Sequence, residues 1–355
     1  IGEIEGFLAI LEDRLMEFKE IEFRGMTLTE EDLIQLFYYK FTETPLLKRM
    51  DAVKDYFIDS WETLKGRNIS EDDQEMLQMK FDKMYTTKDI YNIYNWMLDD
   101  CGCDLLPEVP YEKRKLPYED VFPMLYLKYR LSGGNSTHKN IKHLVIDEMQ
   151  DYTYLQYTIL ESLFHCRMTI LGDRAQTLDT KQQDVLRFLP KLLGREIRTI
   201  EIKKIYRNTL EIARYAEKVS GVSDLELLDR HGKEVVEKTF NTDTELLDEL
   251  VCHLKCPGDF ETAALITTTE EEAFDLSRLL KLRGINVSYV DRNSSAFKKG
   301  LTVTTFYLAK GLEFDQVFAL RGAKDNPLKN QAEYICATRA LHELYVYEIT
   351  DGLSK

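Results

Sequence analysis

Apolar residues recur at helical spacing through the first hundred positions. Ile4, Phe7, Leu8, Leu11, Leu15 and Phe18 share one helix face, and Ile90, Ile93, Tyr94 and Met97 repeat the pattern. Thr29 before Glu30-Glu31-Asp32 and Ser70 before Glu71-Asp72-Asp73 mark helix starts, because a hydroxyl caps free amides and acids suit the positive end of the helix dipole. Pro107, Pro110 and Pro117 then end the periodicity. From Leu116 onward, helices alternate with short apolar runs. A helix at Val121–Leu131 leads through Gly133-Gly134 to a strand at His143–Ile146 and, one crossover later, to a second at Met168–Asp173. After Gly194 the pattern predicts strands at Thr199–Ile202, Glu234–Phe240, Ala263–Thr267, Leu301–Phe306, Gln316–Leu320 and Leu344–Ile349. Helices fall between them at Thr209–Val219, Asp243–Leu254, Glu270–Leu282 and Asn330–Ala340. This alternation is that of an α/β fold whose parallel sheet lies between helices.

With 355 residues, 44% of them hydrophobic, the chain is long enough for more than one domain. No apolar run approaches the ~18 residues that span a bilayer. The expectation is a soluble, cytoplasmic protein with no membrane partner. Six cysteines lie without a disulfide framework, and neither Cys101-Gly-Cys103 nor Cys252-His253-x-x-Cys256 has a second half at zinc-ligand spacing. A net charge of −15 argues against indiscriminate nucleic-acid binding, so any such contact must be confined to a patch.

The chemistry gathers where strands end. The run at His143–Ile146 predicts a parallel strand covered on both faces, delivering Asp147 and Glu148 to the carboxyl edge, where such sheets bind ligands. There Asp147 can hold a hydrated Mg²⁺ and Glu148 can orient an attacking water. Singly, such acids are as well explained as solvated strand ends. Four further clusters follow in order: Gly172-Asp173-Arg174-Ala175-Gln176, Tyr206-Arg207, Lys310-Gly311-Leu312-Glu313-Phe314 and Thr338-Arg339-Ala340.

Together with Asp147-Glu148-Met149-Gln150-Asp151, their order and spacing resemble motifs II to VI of the superfamily 1 helicases of the UvrD/Rep/PcrA type, across residues 116–350. Tyr-Leu-Ala-Lys-Gly-Leu-Glu-Phe-Asp at 307–315 is most similar to motif V of the HelD-type, RNA-polymerase-associated members. The resemblance implies ATP and Mg²⁺ as cofactors, with Asp147 on the metal, Glu148 on the water and Gln176 sensing the γ-phosphate. It implies Arg207 and Arg339 as arginine fingers, Tyr206 stacked on adenine and Glu313 on the ribose. Gln150, Lys310 and Gly311 complete the nucleotide-binding set. The plainer alternatives are surface ion pairs for the arginines, a packing role for Tyr206 and an ordinary turn at Gly311.

The resemblance also sets the expected domains: a helical insertion at 1–113, the remainder of a first RecA-like domain at 114–194, and a second RecA-like domain at 195–355. The function it implies is an ATP-dependent DNA helicase or translocase working on single strands or duplex junctions. The alternative is an ATP-gated factor that remodels RNA polymerase with little or no unwinding, and a third reading is a regulatory module without catalysis. Two departures matter. No Gly-x-x-x-x-Gly-Lys-Ser/Thr loop occurs; Gly133-Gly134-Asn135-Ser136-Thr137 lacks the Gly-Lys pair, and Gly232-Lys233 is followed by Glu234. The expectation is therefore the C-terminal part of a longer helicase, inactive alone, with a first sheet short of strands and open at its edge. Thr177-Leu178-Asp179-Thr180-Lys181 offers no aromatic for base stacking, and Arg207 and Lys310 stand only about one hundred residues apart, too close for a large accessory domain.

Overall fold

The computed structural model describes residues 1–134, 138, 140–177, 185–194, 197–222, 224–255, 260–294, 299–321 and 327–349. Asn135–Thr137, Leu178–Lys181 and Cys256, which figure in the sequence reading, lie outside the described residues. The chain forms two compact units, one of residues 1–145 and 152–169, the other of 146–151 and 170–355.

The first unit is mainly helical. In chain order it holds α1 (Gly2–Leu15), the hairpin of β1 (Ile21–Phe23) and β2 (Met26–Leu28), α2 (Glu30–Gln35), α3 (Leu46–Lys65), α4 (Glu71–Asp82), α5 (Ile90–Asp100) and α6 (Tyr118–Ser132). β3 (His143–Ile146), α7 (Tyr154–Leu163) and β4 (Arg167–Ile170) follow. The helical spacing of Met50, Val53, Phe57 and Trp61 turns one stripe of α3 into a core with Leu11, Phe37, Phe81 and Ile93. Thr29 and Asp32 cap α2 reciprocally, and Gly66, at φ 65°, ends α3 in the left-handed conformation that glycine adopts without strain. The β1–β2 hairpin departs from the all-helical expectation. Its turn, Arg24-Gly25, lies at positive φ in both residues, but arginine in the first position is a weak hairpin signal.

The second unit carries α8 (Val185–Leu193), β5 (Lys204–Ile205), α9 (Leu210–Ser220), β6 (Glu226–Leu227), β7 (Val236–Phe240), α10 (Asp243–Lys255) and β8 (Thr262–Thr267). These are followed by α11 (Glu270–Leu282), β9 (Val287–Tyr289), β10 (Gly300–Thr305), β11 (Phe314–Leu320), α12 (Lys329–Arg339) and β12 (Ala340–Ile349). Six strands form a parallel sheet in the order β7-β12-β11-β8-β10-β9. Side-chain alternation gives it two apolar faces. Ala264, Ile266, Val317, Ala319, Leu344 and Val346 pack with residues of α9 and α12, while Leu265, Val303, Phe318, Tyr345 and Tyr347 pack with α10 and α11. The α/β reading with a parallel sheet between helices therefore holds.

Two expectations require correction. Thr199–Ile202 is not a strand: it has no regular structure, and Ile200 and Ile202 are exposed, so the apolar alternation there is unpaired and the strand falls at Lys204–Ile205. β3 is not covered on both faces either, since His143 and Val145 are exposed; its sheet has only β3 and β4 among the described residues, too few to be buried.

Candidate nucleotide site

The β3–β4 ladder continues past the strands, with Leu171 N donating to Ile146 O at 2.8 Å and Met149 N to Leu171 O at 2.8 Å. That pairing sets the segments 146–151 and 170–176 side by side. Glu148 sits at φ 53°, in the left-handed region that a non-glycine residue adopts only when its surroundings hold it there. Its amide donates to Asp147 Oδ1 at 2.8 Å, and its carboxylate accepts from Gln150 Nε2 at 2.6 Å. Gln150 is buried, and its oxygen accepts from Asp173 N at 3.0 Å. Gly172 is required at this approach: a Cβ there would lie 2.4 Å from Gln150 Oε1 and 2.6 Å from Met149 N.

Asp173 organises the second segment. One oxygen accepts from Ala175 N at 3.0 Å; the other accepts from Gln176 Nε2 at 2.9 Å and from the Tyr334 hydroxyl at 2.8 Å. Burial first, and then the charge of Asp173, push the Tyr334 phenol up. Gln176 is itself buried, and its Oε1 accepts no hydrogen bond among the described residues, leaving an acceptor open for a donor.

The cations lie on the crossover between β10 and β11, in the turn between β5 and α9, and at the last residue of α12. The stretch 306–313 returns the chain from the carboxyl end of β10 to the amino end of β11, with Gly311 at φ 82°. On it, Lys310, its side chain 8% exposed, donates to Asp151 Oδ1 at 2.6 Å and stands 3.5 Å from Glu148 Oε2. Arg207 Nε pairs with Glu313 Oε1 at 2.8 Å, both half exposed, and Tyr206 is exposed with the Lys204 ammonium 5.4 Å from its ring centre. Arg339 is different. It is 3% exposed and donates to Leu312 O at 3.2 Å and to the Thr338 hydroxyl at 3.1 Å, with no carboxylate in ion-pair range among the described residues. Burial, and then the nearby Arg207, pull Arg339 below an arginine's ordinary value, while Glu148 and Glu313 oppose the shift.

Sequence reading missed the residues that bring the arginines together. Asn208, buried, donates from Nδ2 to Ala340 O at 2.6 Å and Ala337 O at 3.3 Å, fixing the Tyr206-Arg207 turn to the end of α12. From sequence it reads only as a polar residue before a helix. A second device is the stretch 228–232. Leu210 N donates to Arg230 O at 2.8 Å, Arg230 Nη1 to Arg207 O at 3.0 Å, and Gly232 N to Glu211 Oε2 at 2.8 Å. His231 completes it through Nδ1, 2.9 Å from Glu211 Oε1. The hydrogen bond to Glu211 raises His231 above its ordinary 6.5, and the bond from His231 holds Glu211 down at about 2.

The pH dependence of this clamp follows from those directions. The His231 contribution is full below pH 6.5 and lost as pH rises through its raised folded value; the Glu211 contribution is present above 4.5 and lost as pH falls through about 2. Wild type should therefore melt above His231→Gln below pH 6.5, with the difference closing as pH rises through the raised folded value of His231. A difference in melting temperature that grows with alkalinity would show the sign to be wrong.

A family model described as the UvrD/REP helicase N-terminal domain matches residues 10–178, just under half of the chain. No curated protein matches it. Among solved structures, the chain is similar to the C-terminal domain of a possible DNA helicase from Lactobacillus plantarum WCFS1, at 24% identity over 41% of this chain and 87% of that one, with a TM-score of 0.33. It is similar to the PRRSV helicase at 17% identity, covering 73% of this chain and 45% of that chain, TM-score 0.35. An arterivirus nonstructural protein 10 (helicase) in complex with DNA shares 17% identity over 34% and 29% of the two chains, TM-score 0.25. The chain thus spans less than half the length of either viral helicase. No helix among the described residues is long and apolar enough to cross a membrane.

Proposed function

We propose that the chain is part of a superfamily 1 helicase motor of the UvrD/Rep type, supplying most of an ATP site and coupling hydrolysis to movement on DNA. The observation that carries this reading is Arg339: a guanidinium held out of water, with no carboxylate partner among the described residues, is costly unless an anion completes it. The match over residues 10–178 supports the same family.

The residues fit a nucleotide and its metal. Asp147 is exposed and has an oxygen beyond the one its neighbour's amide occupies, as a ligand to hydrated Mg²⁺ requires. Glu148, held at its unusual backbone angle, would accept a proton from an ordered water, and Gln176 would bond the same water or a terminal phosphate oxygen through its open acceptor or its amide. Arg207 and Arg339 would spread charge over phosphate oxygens, Tyr206 would present its exposed ring to the base, and Glu313 would accept from a ribose hydroxyl. Bound Mg·ATP supplies the anhydride and the divalent charge on its oxygens. In this reading Lys310 neutralises Asp151 and Glu148 until they are needed, and residues 1–113, 114–194 and 195–355 correspond to a helical insertion and two RecA-like domains.

The chain alone should release phosphate no faster than buffer, since its sequence contains no Gly-x-x-x-x-Gly-Lys-Ser/Thr loop. Joined to a segment bearing that loop, it should turn over ATP and displace DNA strands, and Glu148→Gln should abolish both. Turnover insensitive to Glu148→Gln would sink the assignment. The −15 charge favours a second reading, nucleotide-gated remodelling of RNA polymerase. Nucleotide-sensitive polymerase release without strand displacement would select it.

A further inference from the structure

The chain carries 62 acids among 355 residues, roughly one in six, yet Ser132–Ile146 and Ser162–Gly172 contain none. The strands within these two runs, β3 and β4, pair with each other. The His143 ring meets the Thr169 hydroxyl at 2.8 Å, so the residues preceding both strands share one edge. There Ile141, Lys142, His165, Cys166 and Arg167 line an open depression of about 630 Å³. Lys142, His143, His165 and Arg167 are exposed, and among the described residues neither Lys142 nor Arg167 is in an ion pair. Three of the six histidines of the chain, His138, His143 and His165, stand in these runs.

Unpaired surface cations in a chain of charge −15 mark the place where a polyanion is attracted rather than repelled. We infer that the amino edge of β3 and β4 binds the phosphate backbone of nucleic acid, with Lys142 and Arg167 on successive phosphates and His143 and His165 donating beside them. None of these residues belongs to the nucleotide site. Contacts of this kind position a strand without reading its sequence. The choice of nucleic acid over another polyanion rests on the helicase reading; the patch itself does not.

The test is fluorescence anisotropy of a labelled single-stranded oligonucleotide with the whole chain, without ATP, across a salt series. Lys142→Glu with Arg167→Glu should weaken binding about tenfold or more at low salt and reduce the salt slope by about 1.4, or roughly 0.7 for each phosphate left without its cation. Lys218→Glu with Lys281→Glu changes the net charge equally at exposed positions elsewhere and should leave affinity within about twofold. Equal weakening in both variants, or no binding by wild type, overturns the inference. A lowered melting temperature with unchanged affinity would also overturn it, by making the cations structural partners of the carboxyl end of α7. Anionic phospholipid vesicles provide the remaining arm: patch-dependent vesicle binding without oligonucleotide binding overturns the nucleic-acid assignment. Because ATP is absent, failure here leaves the Glu148→Gln result standing, and failure there leaves this one.

Discussion

Arg339→Met is expected to abolish function while leaving the fold as stable as before, or more so. The wild-type guanidinium is buried against Leu312 O and Thr338 with no carboxylate in ion-pair range among the described residues, so its desolvation is poorly repaid in the folded protein. Methionine fills comparable volume without that cost, and melting without nucleotide should be unchanged or raised by up to about 1 kcal/mol. Triphosphate binding should suffer, and in a motor carrying a phosphate-binding loop hydrolysis should fall by about 10³-fold or more, the usual worth of an arginine finger. Parallel melting and turnover measurements separate the two roles: a large drop in melting temperature with normal turnover would make Arg339 a structural residue.

Arg321→Met should do the reverse. Arg321 follows β11 and reaches Glu333 Oε1 at 3.0 Å, Glu348 at 3.4 Å and the Tyr215 hydroxyl at 3.2 Å, and it also pairs with Glu237. It joins α9, α12, β7 and β12 at one point. Burial works against its charge, but the hydrogen bonds to Glu333 and Glu237 hold it above an arginine's ordinary value. Without it Glu333, 9% exposed, is a buried carboxylate facing two others. Breaking a buried pair by removing one partner costs about 3–5 kcal/mol, or roughly 10 °C in melting temperature for a domain of this size. Arg321→Met with Glu333→Met should recover much of the stability, because the second change removes the stranded charge. A single variant that melts with wild type would refute the hub.

The elements that were legible in the sequence are those whose burial repeats at short range. Glu270–Leu282 was readable to the residue because Thr269 and Glu272 cap it and Ala273, Leu276 and Leu280 mark its stripe. Strands β8, β10 and β11 were readable because both their faces are buried. β9 was not, since three residues give too short an alternation, and Thr199–Ile202 misled because apolar alternation states only that a segment would suit a sheet. The residue types of the candidate site stood out at strand ends. Asn208, Arg230 and Tyr334 did not, because each acts through a backbone carbonyl or a carboxylate far away in sequence.

By itself, then, the sequence determined the α/β alternation, the helical character of the first hundred residues and the chemical inventory of the strand-end loops. Periods of 3.6 and 2 are local, and burial imposes them directly on the order of residues. Only the tertiary structure decided which of those groups meet. Lys310 and Asp151 are 159 residues apart, and Tyr334 and Asp173 are 161 apart. Contacts at such separations follow from strand order and crossover, which no short stretch of sequence encodes. The same holds for the burial of Arg339 with no carboxylate in ion-pair range among the described residues: it depends on what the fold places around it.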